Sequence, residues 1–196
     1  MPYAVLMPVF AKKILHGDAS TLGFLVGASG LGALIGALYL ASRRSVRGLG
    51  KVIASAAALF GLGLVGLSFS RVLGISLVLM FLTGCGMMVG MAACNTVLQT
   101  LADDDKRGRV MSLYTMAFMG MAPLGSLLAG TLAGWMGAPR TLLCGGLSCL
   151  AGAAGFAIHL PSWSESIRPV YKAKGIIPEM AGGMDASASL ALQPED

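Results

Sequence analysis

The side chains with the clearest chemical potential lie between Asn95 and Arg109. Asn95 and Gln99 are four positions apart, so a helix places both amides on one face. Six charged residues follow within the seven positions 103–109, which we call the charged turn. These groups can form hydrogen bonds and ion pairs, but the sequence holds no catalytic triad, phosphate-binding glycine loop or metal-ligand cluster. The sequence therefore predicts no enzyme, no catalytic residue, and neither a cofactor nor a metal site.

The segments on both sides of the charged turn carry no charge. Val72 to Ala102 precedes it and Val110 to Pro139 follows it. A helix needs about 20 apolar residues to cross the hydrocarbon core of a bilayer, and both segments exceed that length. The pattern predicts a short polar connection between two membrane-spanning helices, and the rest of the chain repeats it.

The composition also indicates a lipid environment. Of the 196 residues, 56% are hydrophobic and only 12% are charged, and the mean hydropathy is +0.78. Soluble domains carry about 25% charged residues. The net charge of +5 does not indicate a nucleic-acid partner, because the basic residues lie in connections between apolar segments and not on one basic face.

The expected fold is an all-α membrane protein with five spanning helices. They cover about residues 20–42, 52–70, 72–99, 110–136 and 141–160. Ser20 or Thr21 suits the N-cap of the first span, and Pro161 is expected to end the last. Residues 1–11 are interpreted as the end of a helix whose beginning is missing, with a short interfacial helix as the alternative. Residues 161–196 form an expected tail, disordered beyond about 178.

The cysteines and two glycines of these spans are interpreted as packing residues. The cysteines lie at positions 85, 94, 144 and 149 and form no CxxC pair. A disulfide from Cys85 or Cys94 to the last helix is the alternative. Gly32 and Gly36 form a GxxxG pair, which lets another helix approach closely. The alternative for this pair is the general abundance of glycine in membrane helices.

Basic residues divide unequally between the two sets of connections. One set holds ten: Arg43, Arg44, Arg47, Lys51, Lys106, Arg107, Arg109, Arg168, Lys172 and Lys174. The other set holds four: Lys12, Lys13, Arg71 and Arg140. Lys and Arg are enriched in cytoplasmic connections. The richer side, with the C-terminal tail, is therefore expected inside the cell, and the chain is expected to cross the cell (inner) membrane several times.

Three sets of sequence runs carry a family resemblance. They are Leu6 to Ala11 with Leu15 to Gly17 and Ser20 to Gly23; Asn95-Thr96, Leu98-Gln99 and Arg107 to Tyr114; and Pro123 to Ser126 with Gly130. They resemble the seventh-to-eighth, tenth-to-eleventh and eleventh helix regions of major facilitator superfamily exporters. The chain is similar, more narrowly, to the drug and siderophore efflux branch, over about residues 4–178. The run from Arg107 to Tyr114 is the most specific part.

The resemblance implies a fold of twelve helices in two six-helix halves, of which this chain would be the C-terminal half. It implies export of a small amphipathic molecule by alternating access within a lipid bilayer, with an N-terminal half or a second copy as partner. No predicted span holds an Asp, Glu, Lys or Arg, so any proton-coupling group is expected in the other half. The alternative function is a truncated, non-transporting membrane protein or an interaction module that needs a partner half.

Within this framework, three groups of residues are candidates for function. Asn95, Gln99, Tyr114 and Met119 are candidates for the substrate pathway; Asp104, Arg107 and Arg109 for a cytoplasmic gate; Pro123 and Gly125 for a hinge. For the two amides, the alternative is an interhelical hydrogen bond of about 1 kcal/mol. For the charged turn it is a solvated turn with weak ion pairs, for the methionine packing or lipid contact, and for the proline a static kink.

Overall fold

The computed structural model describes residues 2–43, 48–103 and 105–173 of the chain, and within those ranges it is all-α, without a strand. The helices are α1 (Pro2–Lys13), α2 (Ala19–Ser42), α3 (Leu49–Phe69), α4 (Leu73–Leu101), α5 (Arg107–Met136) and α6 (Ala138–Ala173). Helices α2 to α5 and the Ala138–Leu160 part of α6 are long and apolar enough to cross a membrane. The all-α expectation is confirmed.

Two helix ends differ from the sequence-based expectation. Helix α2 is capped by Asp18, whose carboxylate accepts hydrogen bonds from the backbone N–H groups of Ser20 and Thr21 at 3.1 and 3.2 Å. An aspartate at this position satisfies the otherwise unpaired N–H groups of the first turn, so the helix begins at Ala19. Pro161 does not end α6, which continues to Ala173. Residues 174–196, with the expected disordered tail, lie outside the described residues.

Helix α4 occupies the centre of the bundle formed by the residues up to Leu160. Its glycines pack against α2 in parallel register, since Gly84 meets the carbonyl of Ser29 and Cys85 faces Gly36. Against α3 the register is antiparallel: Gly86 lies beside Ala56, and Thr83 beside Gly63. Helix α4 is therefore held between two neighbours by backbone-to-backbone contacts, which only glycine permits.

The GxxxG pair of α2 is part of this contact. A Cβ at Gly32 would overlap the Phe81 carbonyl, and one at Gly36 would lie 2.9 Å from the Cys85 carbonyl. The packing interpretation is confirmed for both glycines. Other glycines of α2, at positions 23, 27 and 30, have no neighbour within 4 Å of an added Cβ. Gly32 and Gly36 thus contact α4, whereas the other three glycines have open space where a side chain would be.

Helix α1 supplies much of the central apolar core. Tyr3, Leu6, Met7 and Phe10 recur at helical spacing and are all buried, Phe10 completely. They join buried residues of α2, α3, α4, α5 and α6 in one cluster: Leu25, Leu64, Leu67, Met80, Ala129 and Leu142. Helix α1, although too short to cross a bilayer, therefore contributes several side chains to the main apolar core.

Burial is distributed unevenly among the longer helices. Only one residue of α5, Ala129, is buried, whereas α3 and α4 have eight and seven buried residues. The uncovered part of α5 is strongly apolar, with Leu113, Met116, Met119, Met121, Leu127 and Leu128 each more than 60% exposed. Lipid or another protein surface must cover these side chains.

The registers also set which connections share one end of the bundle. Helices α2 and α4 run parallel, so Arg43 after α2 and the charged turn after α4 lie at the same end. Lys51, in the first turn of antiparallel α3, lies at that end too. Arg71, before α4 begins, lies at the other end. Arg44 and Arg47 lie outside the described residues.

All four cysteines are free thiols. Cys85 is half-buried and packs against the apolar cluster of Leu49, Val52, Ala56, Val89 and Ala93, as a small apolar side chain does. The disulfide alternative does not occur.

Candidate functional site

Two hydrogen bonds link the polar residues at the end of α4, one through the side chain of Gln99 and one through its backbone carbonyl. The Gln99 side-chain Nε2 donates to Asn95 Oδ1 at 3.0 Å, along one face of α4. Asn95 is half-buried and Gln99 is exposed. The bond between these two amides runs within α4 and does not join two helices, unlike the interhelical bond expected from the sequence as the alternative.

Arg107 makes the second of these hydrogen bonds across the turn. Its Nε donates to the backbone carbonyl of Gln99 at 3.2 Å. That carbonyl is one of the last four of α4, which have no donor within their own helix. The guanidinium of Arg107, the first residue of α5, supplies the missing donor. A cation at a helix C-terminus is also favoured by the helix dipole. Arg107 therefore ties the end of α4 to the beginning of α5.

The charged turn itself is closed by local contacts. The Lys106 N–H donates to the Asp103 carbonyl at 3.0 Å. The Lys106 ammonium lies 3.7 Å from the Asp103 carboxylate, and both side chains are 64% exposed. Exposed pairs of this kind contribute about 0–1 kcal/mol. Arg109 is exposed, and Asp104, the third residue predicted for a gate, lies outside the described residues.

The remaining pathway candidates lie on α5 and do not join the amide pair through a described hydrogen bond. Tyr114 is half-buried and stacks on Phe118 of the same helix, with ring centroids 6.2 Å apart and planes at 25°. Met119 is 66% exposed on the uncovered face of α5. The site thus brings together Asn95, Gln99 and Arg107, while Met119 faces outward.

The hinge candidates occur within one uninterrupted helix. Helix α5 runs through Pro123 to Met136. Pro123 is exposed and Gly125 is half-buried, and the Ser126 hydroxyl donates to the carbonyl of Ala122 at 2.9 Å. A proline lacks the N–H that would bond the carbonyl four residues earlier. The backbone is therefore less constrained there than elsewhere in α5.

A second polar contact, which the sequence reasoning missed, lies inside the bundle. The Tyr3 hydroxyl on α1 is 3.4 Å from Ser29 Oγ on α2 and 3.7 Å from Met87 Sδ on α4. Its ring meets Phe60 of α3 edge-on, with centroids 5.8 Å apart. The signal was the apolar spacing Tyr3, Leu6, Met7, Phe10, which predicts a buried helix face, whereas residues 1–11 were interpreted only by their length.

The electrostatic feature with a resolved effect outside the membrane spans is Asp18. The hydrogen bond from the Ser20 hydroxyl, together with that from the Thr21 N–H, lowers the pKa of the Asp18 carboxyl below its ordinary 3.8. Asp18 borders an open cleft with Lys12, Pro8 and Leu22. This cleft lies at the end of the bundle opposite to the charged turn, so it is separate from the amide pair.

These observations define a class of protein: a helical membrane protein with several spanning segments and a polar turn at one end of its central helix. The sequence family described as transmembrane secretion effector matches residues 2–180. The chain belongs to this family of the major facilitator superfamily, as the sequence resemblance predicted.

The chain is also similar to a named transporter. It is 30% identical to the staphyloferrin A transporter of Staphylococcus aureus (strain NCTC 8325 / PS 47) over 154 residues, which make up 76% of this chain. The matched region spans 37% of that relative. No solved structure matches the chain.

Proposed function

We propose that the chain is the C-terminal half of a major facilitator transporter that exports a small amphipathic molecule by alternating access. The match of residues 2–180 to a family of secretion effectors supports export. The relative named as a staphyloferrin A transporter supports a siderophore-like molecule as one candidate substrate. That relative is more than twice as long as the part of it that this chain matches, which supports a partner half.

The single observation that carries the proposal is the contrast between α4 and α5. Helix α4 is fixed between α2 and α3 by close glycine contacts, whereas α5 has one buried residue and a broad apolar face. An alternating-access transporter needs a rigid unit that rocks and a surface on which it rocks. In this proposal α2, α3 and α4 form the rigid unit, and α5 borders the pathway between the two halves.

Asn95 and Gln99 line that pathway at the cytoplasmic end of α4, and Tyr114 and Met119 line it on α5. The amide pair offers donors and acceptors to a polar part of the substrate. The aromatic pair Tyr114 and Phe118 and the flexible Met119 offer adaptable apolar contact to the rest. This division of contacts suits an amphipathic substrate.

Arg107 and Arg109, with Asp104, act as the cytoplasmic gate. Arg107 bonds the end of α4, so any movement of α5 relative to α4 changes that contact. An ion pair or hydrogen bond that exists in one state and not in the other biases the equilibrium between the two states. Pro123 and Gly125 provide the place where α5 bends during that movement.

The proposed orientation puts the charged turn in the cytoplasm. Arg43, Lys51, Lys106, Arg107 and Arg109 lie at one end of the bundle, and Lys12, Lys13, Arg71 and Arg140 lie at the other. Over the whole sequence the first set of connections holds ten basic residues and the second holds four, and this excess supports a cytoplasmic location for the first end. The C-terminal tail is then cytoplasmic as well, and the membrane is the cell (inner) membrane.

The proposal is tested by deleting the coding region from its natural locus and measuring accumulation of two probes, ethidium and staphyloferrin A. We expect the deletion strain to retain several-fold more of at least one probe, and restoration of the intact locus to reverse this. A matched strain with the deletion but an unrelated membrane protein at the same locus controls for membrane stress. Equal retention in all strains would favour the alternative, a non-transporting interaction module.

A further inference from the structure

The Tyr3 hydroxyl is the polar group at which three helices meet. Ser29 of α2 and Met87 of α4 both lie within hydrogen-bond distance of its oxygen, at 3.4 and 3.7 Å. A phenol has one proton. Donation from Tyr3 to the Met87 sulfur therefore leaves Ser29 as the donor to Tyr3, and the two bonds form one chain from α2 through α1 to α4.

These two bonds are long compared with those of other buried hydroxyls. Ser68 bonds the Val65 carbonyl at 2.6 Å, Thr83 bonds the Leu79 carbonyl at 2.7 Å, and Ser70 and Ser76 share a bond of 2.8 Å. The Tyr3 contact with Ser29 exceeds these distances by at least 0.6 Å, and a thioether sulfur is a weak acceptor. The phenol is thus buried with bonds that a small shift of α1 would break.

Apolar packing holds α1 on both sides of Pro8. Leu6 and Met7 before the proline are 3% and 2% exposed, and Phe10 and Ala11 beyond it are 0% and 2% exposed. The early part of α1 differs in that it carries the Tyr3 hydroxyl and that Pro8 cannot bond the Ala4 carbonyl. The early part therefore has one backbone hydrogen bond fewer, and the Tyr3 hydroxyl adds a polar contact to its apolar packing.

We infer that the Tyr3 hydroxyl is a latch: its hydrogen bonds add to the apolar packing that docks the early part of α1 onto α2 and α4, and their loss lets this part of α1 open more often. Ser29 and Met87 are the two hydrogen-bond partners of the Tyr3 hydroxyl in this latch. Phe60 supports the ring from α3 and keeps the hydroxyl aimed between them. Tyr3 is a positioning residue, because it acts through the position of α1.

The use of the latch in a transport cycle rests on the proposed function, whereas the latch itself does not. Backbone hydrogen exchange of the full chain in lipid nanodiscs measures docking of α1 without any substrate. If the chain transports neither probe, the exchange results still decide the latch. If the latch fails, the accumulation results for the gene deletion are unaffected.

The test compares Tyr3→Phe with Tyr39→Phe, a matched loss of a phenol hydroxyl from a half-exposed tyrosine of α2. We expect the α1 amides to exchange about threefold faster in Tyr3→Phe, the effect of losing an average interhelical hydrogen bond in a membrane. Ser29→Ala should accelerate α1 exchange by less than Tyr3→Phe does, because it removes one of the two bonds, and the double variant should exchange no faster than Tyr3→Phe. Tyr39→Phe should match the unaltered chain.

Three results would overturn the latch. They are unchanged α1 exchange in Tyr3→Phe, effects of Tyr3→Phe and Ser29→Ala that multiply in the double variant, and equally faster exchange in α2 and α4. Met87→Leu gives a second route to the same decision, because it removes the sulfur acceptor at similar volume. It should accelerate α1 exchange by less than Tyr3→Phe does, and an effect larger than that of Tyr3→Phe would also contradict the latch.

Discussion

At the residue scale, the contact between Arg107 and Gln99 gives the charged turn a specific role. Many exposed basic residues near membrane helices need only their charge to set topology. The Nε of Arg107 does more, because it donates to a backbone carbonyl at the end of α4. Charge and hydrogen bonding can be separated at this position, since lysine keeps the charge but lacks the planar guanidinium.

We predict that Arg107→Lys and Arg107→Ala both lower probe export, by about twofold to fivefold, as expected for an exposed contact of up to about 1 kcal/mol. Arg71→Ala, at the opposite end of the bundle, is the matched control and should export normally. Export rates in cells with equal amounts of membrane-inserted protein provide the measurement. Normal export by Arg107→Lys with loss in Arg107→Ala would reduce the role of Arg107 to its charge.

Asp18 makes the beginning of α2 sensitive to acid. The carboxylate accepts bonds from Ser20 and Thr21, which lowers its folded-state pKa. The stabilisation is therefore present above the unfolded-state pKa and is lost as the pH falls through the lowered folded-state value. We predict faster amide exchange at the beginning of α2 as the pH falls from about 6 to about 2, after correction for intrinsic exchange rates. Asp18→Asn, a neutral cap, should show no such step; a step of equal size would assign the effect to another group.

The sequence predicted the amide pair but not its partners. A separation of four residues was enough to place Asn95 and Gln99 on one face of α4. The Arg107 contact with a backbone carbonyl depends on how the charged turn folds back, which no spacing rule specifies. The Asp18 cap was not predicted, because aspartate, serine and threonine all suit an N-cap and Ser20 and Thr21 stand close to Asp18 in the sequence.

At the element scale, the glycines of α4 decide how closely the bundle packs. An alanine Cβ at Gly84 would overlap the Ser29 carbonyl and lie 2.8 Å from the Ser29 carbonyl carbon. These are backbone atoms, so α2 and α4 would have to separate. The same substitution at Gly27 meets no atom within 4 Å.

We predict that Gly84→Ala destabilises the chain and Gly27→Ala does not. Overpacking costs about 1–3 kcal/mol, which exceeds the gain of up to about 1 kcal/mol from removing glycine from a helix interior. Gly27→Ala receives only that gain, so its unfolding temperature should stay the same or rise. Thermal unfolding in detergent, followed by circular dichroism, measures both. A lower unfolding temperature for Gly27→Ala together with an unchanged one for Gly84→Ala would contradict the assigned helix contacts.

Hydropathy and charge predicted the existence of the long helices, because a bilayer demands long apolar segments whatever the tertiary contacts are. They did not predict which glycine of α2 faces α4, since Gly27 and Gly32 are equally uncharged and equally small. The direction of each glycine depends on the rotation of its helix. Only the packed structure specifies that rotation.

At the scale of the whole molecule, the two sets of connections differ in their number of basic residues, ten against four in the sequence. The parallel register of α2 and α4 places Arg43 and the charged turn at the same end of the bundle. Residues 161–173 continue α6 as helix. The family and its broad architecture were predictable because their signals are spread over the whole chain, whereas the docking of α1 depends on contacts between residues far apart in sequence.

We predict that Ser42→Cys and Lys106→Cys react with a membrane-impermeant maleimide only from the cytoplasmic face, and Arg71→Cys only from the outer face. The reason is the excess of basic residues at the Ser42 and Lys106 end. Labelling in intact cells and in everted vesicles is the measurement, and the unaltered chain controls for its own four thiols. Opposite-face labelling of Ser42→Cys and Lys106→Cys would contradict the topology.

The most direct test of export is accumulation of a labelled probe by respiring everted vesicles from the natural host, in which the cytoplasmic face points outward. We predict energy-dependent uptake of ethidium or staphyloferrin A into vesicles that carry the intact locus, and loss of that uptake in vesicles with Gly84→Ala. Vesicles from the deletion strain that accumulate both probes as fast as those with the intact locus would contradict it.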